Sequence, residues 1–158
     1  MIEYKPRNVM VVDDVSSNRK LLTMLMQRFK HLSLSSAACG TEALEIFDTS
    51  SEKYDLIFMD NIMPDMSGLE VSQTLRTKRK YNNLIIGVTG NSLDRDLEEF
   101  VHSGADIALP KPMRYATIVS IVEHLEKYGG YTINSKSTDA QSAERSASLR
   151  EIVNQSLQ

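Results

Sequence analysis

The sequence predicts an α/β fold of the doubly wound kind, a five-stranded parallel sheet with helices on both faces. Three observations carry this expectation. The runs at residues 9–12 (VMVV), 56–59 (LIFM) and 84–88 (LIIGV) lack polar alternation, which marks strands buried on both faces. Strand and helix patterns alternate five times within roughly 120 residues, the rhythm of βα units that build a parallel sheet. Polar residues able to do chemistry stand where successive strands end: Asp13 and Asp14, Asp60, Thr89 and Lys111.

In chain order, residues 1–8 are a short polar lead into the first strand. After Asp13 and Asp14, residues Ser16, Ser17 and Asn18 offer a helix cap, and Leu21, Leu22, Leu25, Met26 and Phe29 keep helical spacing through to Lys30. Met24 and Met26 read as packing residues rather than as a specificity code. Residues 31–38 (HLSLSSAA) set Leu32 and Leu34 against serines and form a weaker strand. Cys39, in a small-residue stretch, reads as a buried inert thiol. Gly40 and Thr41 then punctuate, and Ala43, Leu44, Ile46 and Phe47 mark a short second helix.

The run at 56–59 enters Asp60 without an intervening charge, and Pro64, Asp65, Ser67 and Gly68 supply turn chemistry before a helix resumes at Leu69 with Val71, Ser72 and Leu75. That helix dissolves into the basic loop at 77–81. The run at 84–88 closes on Thr89, Gly90 and Asn91. Leu93, Leu97, Phe100 and Val101 define a fourth helix stopping at Ser103 and Gly104, a left-handed cap. Ile107, Ala108 and Leu109 are a short last strand before Pro110, Lys111 and Pro112. A fifth helix runs from Tyr115 to Lys127 on Ile118, Val119, Ile121, Val122 and Leu125. From Gly129 the composition turns polar. The expectation is one domain over 1–128 and a flexible polar tail over 129–158, in which Leu149, Ile152, Val153 and Leu157 allow a transient or partner-induced helix at 148–157.

Bulk properties narrow the function classes. The 158 residues are 41% hydrophobic and 25% charged, enough for one domain with a real core. A net charge of -3 without long single-sign runs argues against a nucleic-acid interface. One cysteine cannot build a disulfide framework. There is no secretory leader and no apolar run near the ~18 residues of a membrane span, so the expectation is a soluble cytoplasmic protein without direct membrane insertion.

In an open parallel sheet, ligands collect in the crevice beyond the carboxyl ends of the strands. Asp13, Asp14, Asp60, Thr89 and Lys111 all fall on that edge. Converging carboxylates repel unless a cation joins them, and oxygen ligands without His or Cys suit Mg²⁺ with several waters retained. Asp60 is then the candidate nucleophile toward a phosphoryl group, giving an acyl phosphate, while Lys111 and the Thr89 hydroxyl hold the remaining oxygens. Each residue alone has an ordinary reading: Asp60, Asp13, Asp14 and Thr89 as caps, Lys111 as a solvated charge. Their coincidence at consecutive strand ends favours function.

VVDD at 11–14, MDNIMPDMSGLE at 59–70, VTG at 88–90 and LPKP at 109–112 resemble the receiver (response regulator) domain of two-component phosphorelay signalling, over about residues 7–128. The resemblance implies a flavodoxin-like (β/α)5 fold with strand order 2-1-3-4-5. It implies Asp60 as phosphoacceptor, Asp13 and Asp14 as acidic metal-site residues, and Ile62 as a Mg²⁺ ligand through its backbone carbonyl. Thr89 matches the switch hydroxyl and Lys111 the phosphate-binding lysine, whose bond to Pro112 is expected cis. Asn91 occupies the position that tunes phosphoryl lifetime. Ala108 departs from the pattern, standing where receivers commonly carry Tyr or Phe, so the switch is expected to rely on Thr89 and on the loop at 90–94.

The implied function is a phosphorylation-controlled switch and not an enzyme beyond Mg-dependent self-phosphorylation and self-dephosphorylation. Its partner is a histidine kinase or histidine phosphotransfer protein docking on the first helix. Alternatives are a carrier in a multistep relay and a pseudo-receiver that binds without being phosphorylated. A haloacid-dehalogenase-type phosphatase would need a second carboxylate where Ile62 stands, and neither dinucleotide nor P-loop glycine motifs occur. With no further folded domain expected after residue 128, the chain reads as a stand-alone receiver, a relay carrier or the receiver end of a hybrid kinase. The stretches TGNSLDRD and GADIALPKPM are closer to receivers of eukaryotic hybrid kinases. Oligomeric state is open, monomer included.

Overall fold

The structure is a computed structural model in which residues 7–90, 93–133 and 141–158 are described. In chain order the elements are β1 (Arg7–Val12), α1 (Ser16–Met26), β2 (Leu32–Ala37), α2 (Gly40–Thr49), β3 (Leu56–Asp60), α3 (Gly68–Thr77), β4 (Leu84–Thr89), α4 (Asp94–His102), β5 (Ile107–Pro110), α5 (Tyr115–Tyr128) and α6 (Ser142–Ser156). The five strands form one parallel sheet in the order β2-β1-β3-β4-β5, the flavodoxin-like doubly wound topology.

Side chains alternate across the pleat, and both sides are apolar. Val9, Val11, Leu56, Phe58, Leu84 and Ile86 join a core with α1 and α5, whereas Met10, Val12, Ile57, Met59 and Ile85 join one with α2, α3 and α4. This two-sided burial is why the central strands show no polar alternation. Gly104, at φ 128°, turns the chain after α4 in a conformation that costs other residues steric strain.

Several boundaries differ from the sequence reading. α1 ends at Met26 rather than Lys30, because a turn closed by Phe29 N donating to Met26 O brings the chain to β2; Phe29 still packs on the core. Its N-cap is Val15, without a side-chain cap, so Ser16, Ser17 and Asn18 do not act as predicted. Met26 is core, but Met24 is 59% exposed on the opposite side of α1. Cys39 is half-buried at the start of α2, not fully enclosed.

The largest difference lies after α5. The sequence reads residues 129–158 as a flexible tail, yet residues 129–133 are fastened to the sheet's amino-terminal edge. Leu84 N donates to Gly130 O (2.9 Å), Thr132 N donates to Asn82 O (3.1 Å), and Asn83 bridges Tyr131. α6 then begins two turns before the predicted 148–157 helix and packs along α5 and β5, burying Leu149 and Ile152. Composition concealed this, because a mostly polar helix needs only one apolar pair facing a ready surface; tertiary packing supplies most helix stability.

Candidate functional site

Register brings the polar strand ends together. Val12 pairs with Met59 across β1 and β3, so Asp13, the next residue, stands beside Asp60; Asp13 N still donates to Ala37 O of β2 (3.1 Å). Asp60 closes β3 opposite Val88, and Thr89 closes β4 opposite Pro110. Lys111 N donates to Thr89 O (2.8 Å), fixing the start of the next loop against the end of β4.

α3 holds Asp60 from behind. Gly68 N donates to Asn61 O (2.8 Å), and a Cβ at Gly68 would lie 1.9 Å from the Asp60 carbonyl oxygen, so the helix reaches this seat only with glycine. Ser67 caps α3 by accepting from Glu70 N (3.2 Å). Asp65 accepts from Gly40 N (3.1 Å), from Thr41 N (2.9 Å) and from the Thr41 hydroxyl, tying the loop to α2. The Thr41 hydroxyl, and then its backbone N–H, hold the Asp65 carboxyl well below the usual carboxylate range. The sequence reading took Asp65 only as turn chemistry.

At the centre, Lys111 Nζ donates to Asp13 Oδ2 (2.9 Å) and to Asp60 Oδ1 (3.0 Å). One carboxylate oxygen from each of Asp13, Asp14 and Asp60 falls within 4.8 Å of the others. Asp13 and Asp60 are buried and Asp14 is exposed. Asp13 is further locked, its Oδ1 accepting from Val15 N (2.9 Å) and its carbonyl from Arg19 Nη1 (2.7 Å). Arg19 was not a sequence candidate; its place on α1, six residues on, is the only signal.

An apolar cavity of about 120 Å³, walled by Leu22, Leu25, Phe58, Met113 and Ile118, adjoins Asp13, Asp60 and Lys111. Burial pushes Asp60 up from 3.8 to about 6; the Lys111 hydrogen bond opposes this and the Asp13 charge adds to it. Burial pulls the Lys111 ammonium down, but its bonds to Asp13 and Asp60 outweigh that and leave it raised. One ammonium is thus shared by carboxylates that between them carry more negative charge than it neutralises. Asn61 Oδ1 is also buried with no hydrogen-bond partner among the described residues. An all-oxygen donor set with surplus negative charge fits a hard divalent cation.

The other sequence candidates fall as follows. Thr89 is 2% exposed at the end of β4, and the Lys111–Pro112 peptide bond is cis. Ala108 is buried in β5 opposite Gly87. Ile62 projects its side chain outward, 68% exposed, just beyond Asp60. Asn91 lies outside the described residues. No helix among the described residues is long and apolar enough to cross a membrane.

Comparison with known proteins agrees with this geometry. Residues 9–123 match the response regulator receiver domain. The two-component response regulator ARR22 of Arabidopsis thaliana is 32% identical over 127 residues, spanning 78% of this chain and 88% of that protein. The hybrid signal transduction histidine kinase L of Dictyostelium discoideum is 33% identical over 132 residues, covering 80% of this chain, which spans only 8% of that kinase's length. Among solved structures, the Francisella response regulator 1452 receiver domain superposes with a TM-score of 0.64 at 28% identity, covering 77% of this chain and 97% of that one. The Vibrio cholerae chemotaxis protein CheY4 does so with 0.67 at 27% identity, covering 75% and 97%. A family match over most of the chain, on a sheet whose register gathers those acids and that lysine at one edge, means that the chain belongs to the response regulator receiver domain family.

Proposed function

We propose that the chain is a phosphorylation-controlled signalling switch, which takes a phosphoryl group onto Asp60 from the phosphohistidine of a histidine kinase or histidine phosphotransfer protein, with Mg²⁺ at the acidic cluster. In the transfer, a carboxylate oxygen of Asp60 bonds to phosphorus while the phosphorus–nitrogen bond breaks, the electron pair leaving with the imidazole. The observation that carries this reading is the sharing of Lys111 Nζ between Asp13 (2.9 Å) and Asp60 (3.0 Å). It puts a fixed positive charge beside the attacking oxygen.

Asp13, Asp14, Asp60 and the backbone carbonyl of Ile62 would hold the magnesium ion, which supplies charge neutralisation to the incoming phosphoryl oxygens. Lys111 then turns from a carboxylate to a phosphoryl oxygen, and the Thr89 hydroxyl serves a second one. Asp60 is 7% exposed, with the apolar cavity on one side of it and the exposed Asp14 on the open side. Val15, Leu21 and Met24, exposed on and just before α1, offer the donor protein an apolar docking surface next to the cluster. Adding roughly one further negative charge at Asp60 biases the β4–α4 connection through Thr89, without an aromatic partner at Ala108.

The test is covalent. Incubated with Mg²⁺ and acetyl phosphate, the protein gains the mass of one phosphoryl group, and Asp60→Asn gains none. An unmodified wild-type protein, or equal modification of Asp60→Asn, sinks the reading.

A further inference from the structure

We infer that Arg19 is a positioning residue for the acidic cluster: its guanidinium fixes the peptide between Asp13 and Asp14, and so sets the exposed Asp14 carboxylate toward the others before a divalent cation arrives. This rests on the reading of Asp13, Asp14 and Asp60 as a magnesium site, a set to which Arg19 does not belong. Arg19 Nη1 donates to Asp13 O at 2.7 Å. That carbonyl shares a rigid peptide plane with Asp14 N, so gripping it restrains the torsions on either side, ψ of Asp13 and φ of Asp14.

Asp14 has little else to hold it. Every other polar atom of Asp13 is engaged: N donates to Ala37 O (3.1 Å), Oδ1 accepts from Val15 N (2.9 Å) and Oδ2 accepts from Lys111 Nζ (2.9 Å). Asp14 is exposed and lies past Val12, the last residue of β1 to pair with β2 and β3. The start of α1 does not fasten it either, because the N-cap Val15 makes no side-chain cap bond and no acid stands in the first turn. Arg19, half-buried one turn into α1, donates from its backbone N to Val15 O (3.2 Å) and reaches back over that turn with its side chain. It joins the end of β1 to α1 where a capping side chain ordinarily would.

Charge and position make opposite demands on this residue. A guanidinium beside a cation site repels the cation, so by charge alone Arg19 weakens the binding of Mg²⁺. Its bond goes to a carbonyl and not to a carboxylate, which leaves the acidic oxygens for Lys111 and the metal. Groups that orient ligands without touching the ion are worth about 10–100-fold in metal affinity, and at Arg19 this outweighs the repulsion. The sign of the effect of removing it therefore separates the two roles.

The experiment titrates Mg²⁺ alone into full-length protein, without phosphodonor, and follows the amide resonances of residues 13–15 and 60–62. Wild type is compared with Arg19→Met, which keeps a long unbranched side chain and a good helix former, and with Arg19→Lys, whose ammonium can still donate to the carbonyl. Arg19→Met binds Mg²⁺ about tenfold more weakly than wild type, and Arg19→Lys recovers part of the loss. Before metal is added, the Val15 amide, whose acceptor is Asp13 Oδ1, exchanges faster in Arg19→Met than in wild type. Equal or tighter Mg²⁺ binding by Arg19→Met overturns the inference, since loss of a repelling charge alone does that. Arg19→Lys binding no better than Arg19→Met overturns it too. Failure of the magnesium reading looks different, because wild type itself then shows no saturable response, and the role of Arg19 falls with it. Should Arg19→Met fail to fold, Arg19→Gln takes its place under the same criteria.

Discussion

At Asp60 the fold works against the ordinary ionisation of a carboxyl group. Its pKa, raised from 3.8 to about 6 mainly by burial, means that this group's stabilising contribution is complete below about 3.8 and is lost as pH rises through about 6. Asp60→Asn removes the buried charge and leaves Lys111 paired with Asp13. Without metal, the variant should melt higher than wild type at pH 7.5, by about 1–3 kcal/mol or several degrees, with the gap closing at pH 4.5. Thermal melts at both pH values check this, and a variant less stable at pH 7.5 contradicts the electrostatic account. Mg²⁺ should narrow the same gap by stabilising wild type more than the variant. Gly68→Ala is expected to damage site and fold together, because its methyl group would press on the Asp60 carbonyl; the cost is about 1–3 kcal/mol, and the Asp60 amide resonance should move. These central residues were legible because parallel strands end on one edge, so Asp13, Asp14, Asp60, Thr89 and Lys111 converge by topology alone. Arg19 and Asp65 were not, since their partners depend on how helices approach the loops.

Among the elements, α6 separates what patterning reveals from what it hides. The βα units announce themselves because most carry a full apolar stripe or run, whereas α6 buries Leu149 and Ile152 together with the charged Arg145, a set without an apolar stripe, and so reads as tail. Its hold on α5 passes through His124, which burial first and the Arg145 charge second lower to about 4. A base depressed from 6.5 contributes stability that is whole above about 6.5 and disappears as pH falls through about 4. Besides Arg145, the charged groups around it are Glu123, Lys127 and Glu151, which line the adjoining groove. Protection of α6 amides should therefore fall between pH 6.5 and 4, and His124→Phe should flatten that dependence. The window overlaps that of Asp60 with opposite sign, so exchange at α6 is the clean readout and a global melt is not. Arg114 Nη2, which donates to Gln155 O (2.5 Å), holds the other end of the helix only three residues beyond Lys111. Arg114→Ala should loosen residues 150–156 while leaving residues 142–146 protected.

Across the whole molecule, the two edges of the sheet do opposite work. The carboxyl edge carries surplus negative charge and a solvent-facing opening, while the amino edge is pinned by Arg76 and Asp106. Arg76 donates to Gly104 O (2.9 Å), Tyr81 O (2.9 Å), Asn83 O (2.6 Å) and Asp106 Oδ2 (2.9 Å). Asp106 also accepts from Ile85 N (2.9 Å) on Oδ2, and from the Thr132 hydroxyl (2.5 Å) and Ile133 N (2.7 Å) on Oδ1. One carboxylate with a fully buried side chain thus joins α3, β4, the start of β5 and the segment leading to α6. In the sequence this residue is only an acid after Gly104 and Ala105, because four donors from distant segments leave no local pattern. All four partners donate here, two to each oxygen, and three of them, Arg76 Nη2, Ile85 N and Ile133 N, can only donate, so an amide cannot replace the carboxylate: whichever way the substituted side chain turned, its NH₂ would face at least one N–H that has no lone pair to offer. Asp106→Asn should therefore cost nearly as much as Asp106→Ala, about 3–5 kcal/mol, and both should release residues 129–133 and α6 in amide exchange before the central strands open. A near-wild-type melting temperature for Asp106→Asn would mean that volume rather than acceptor capacity holds this edge.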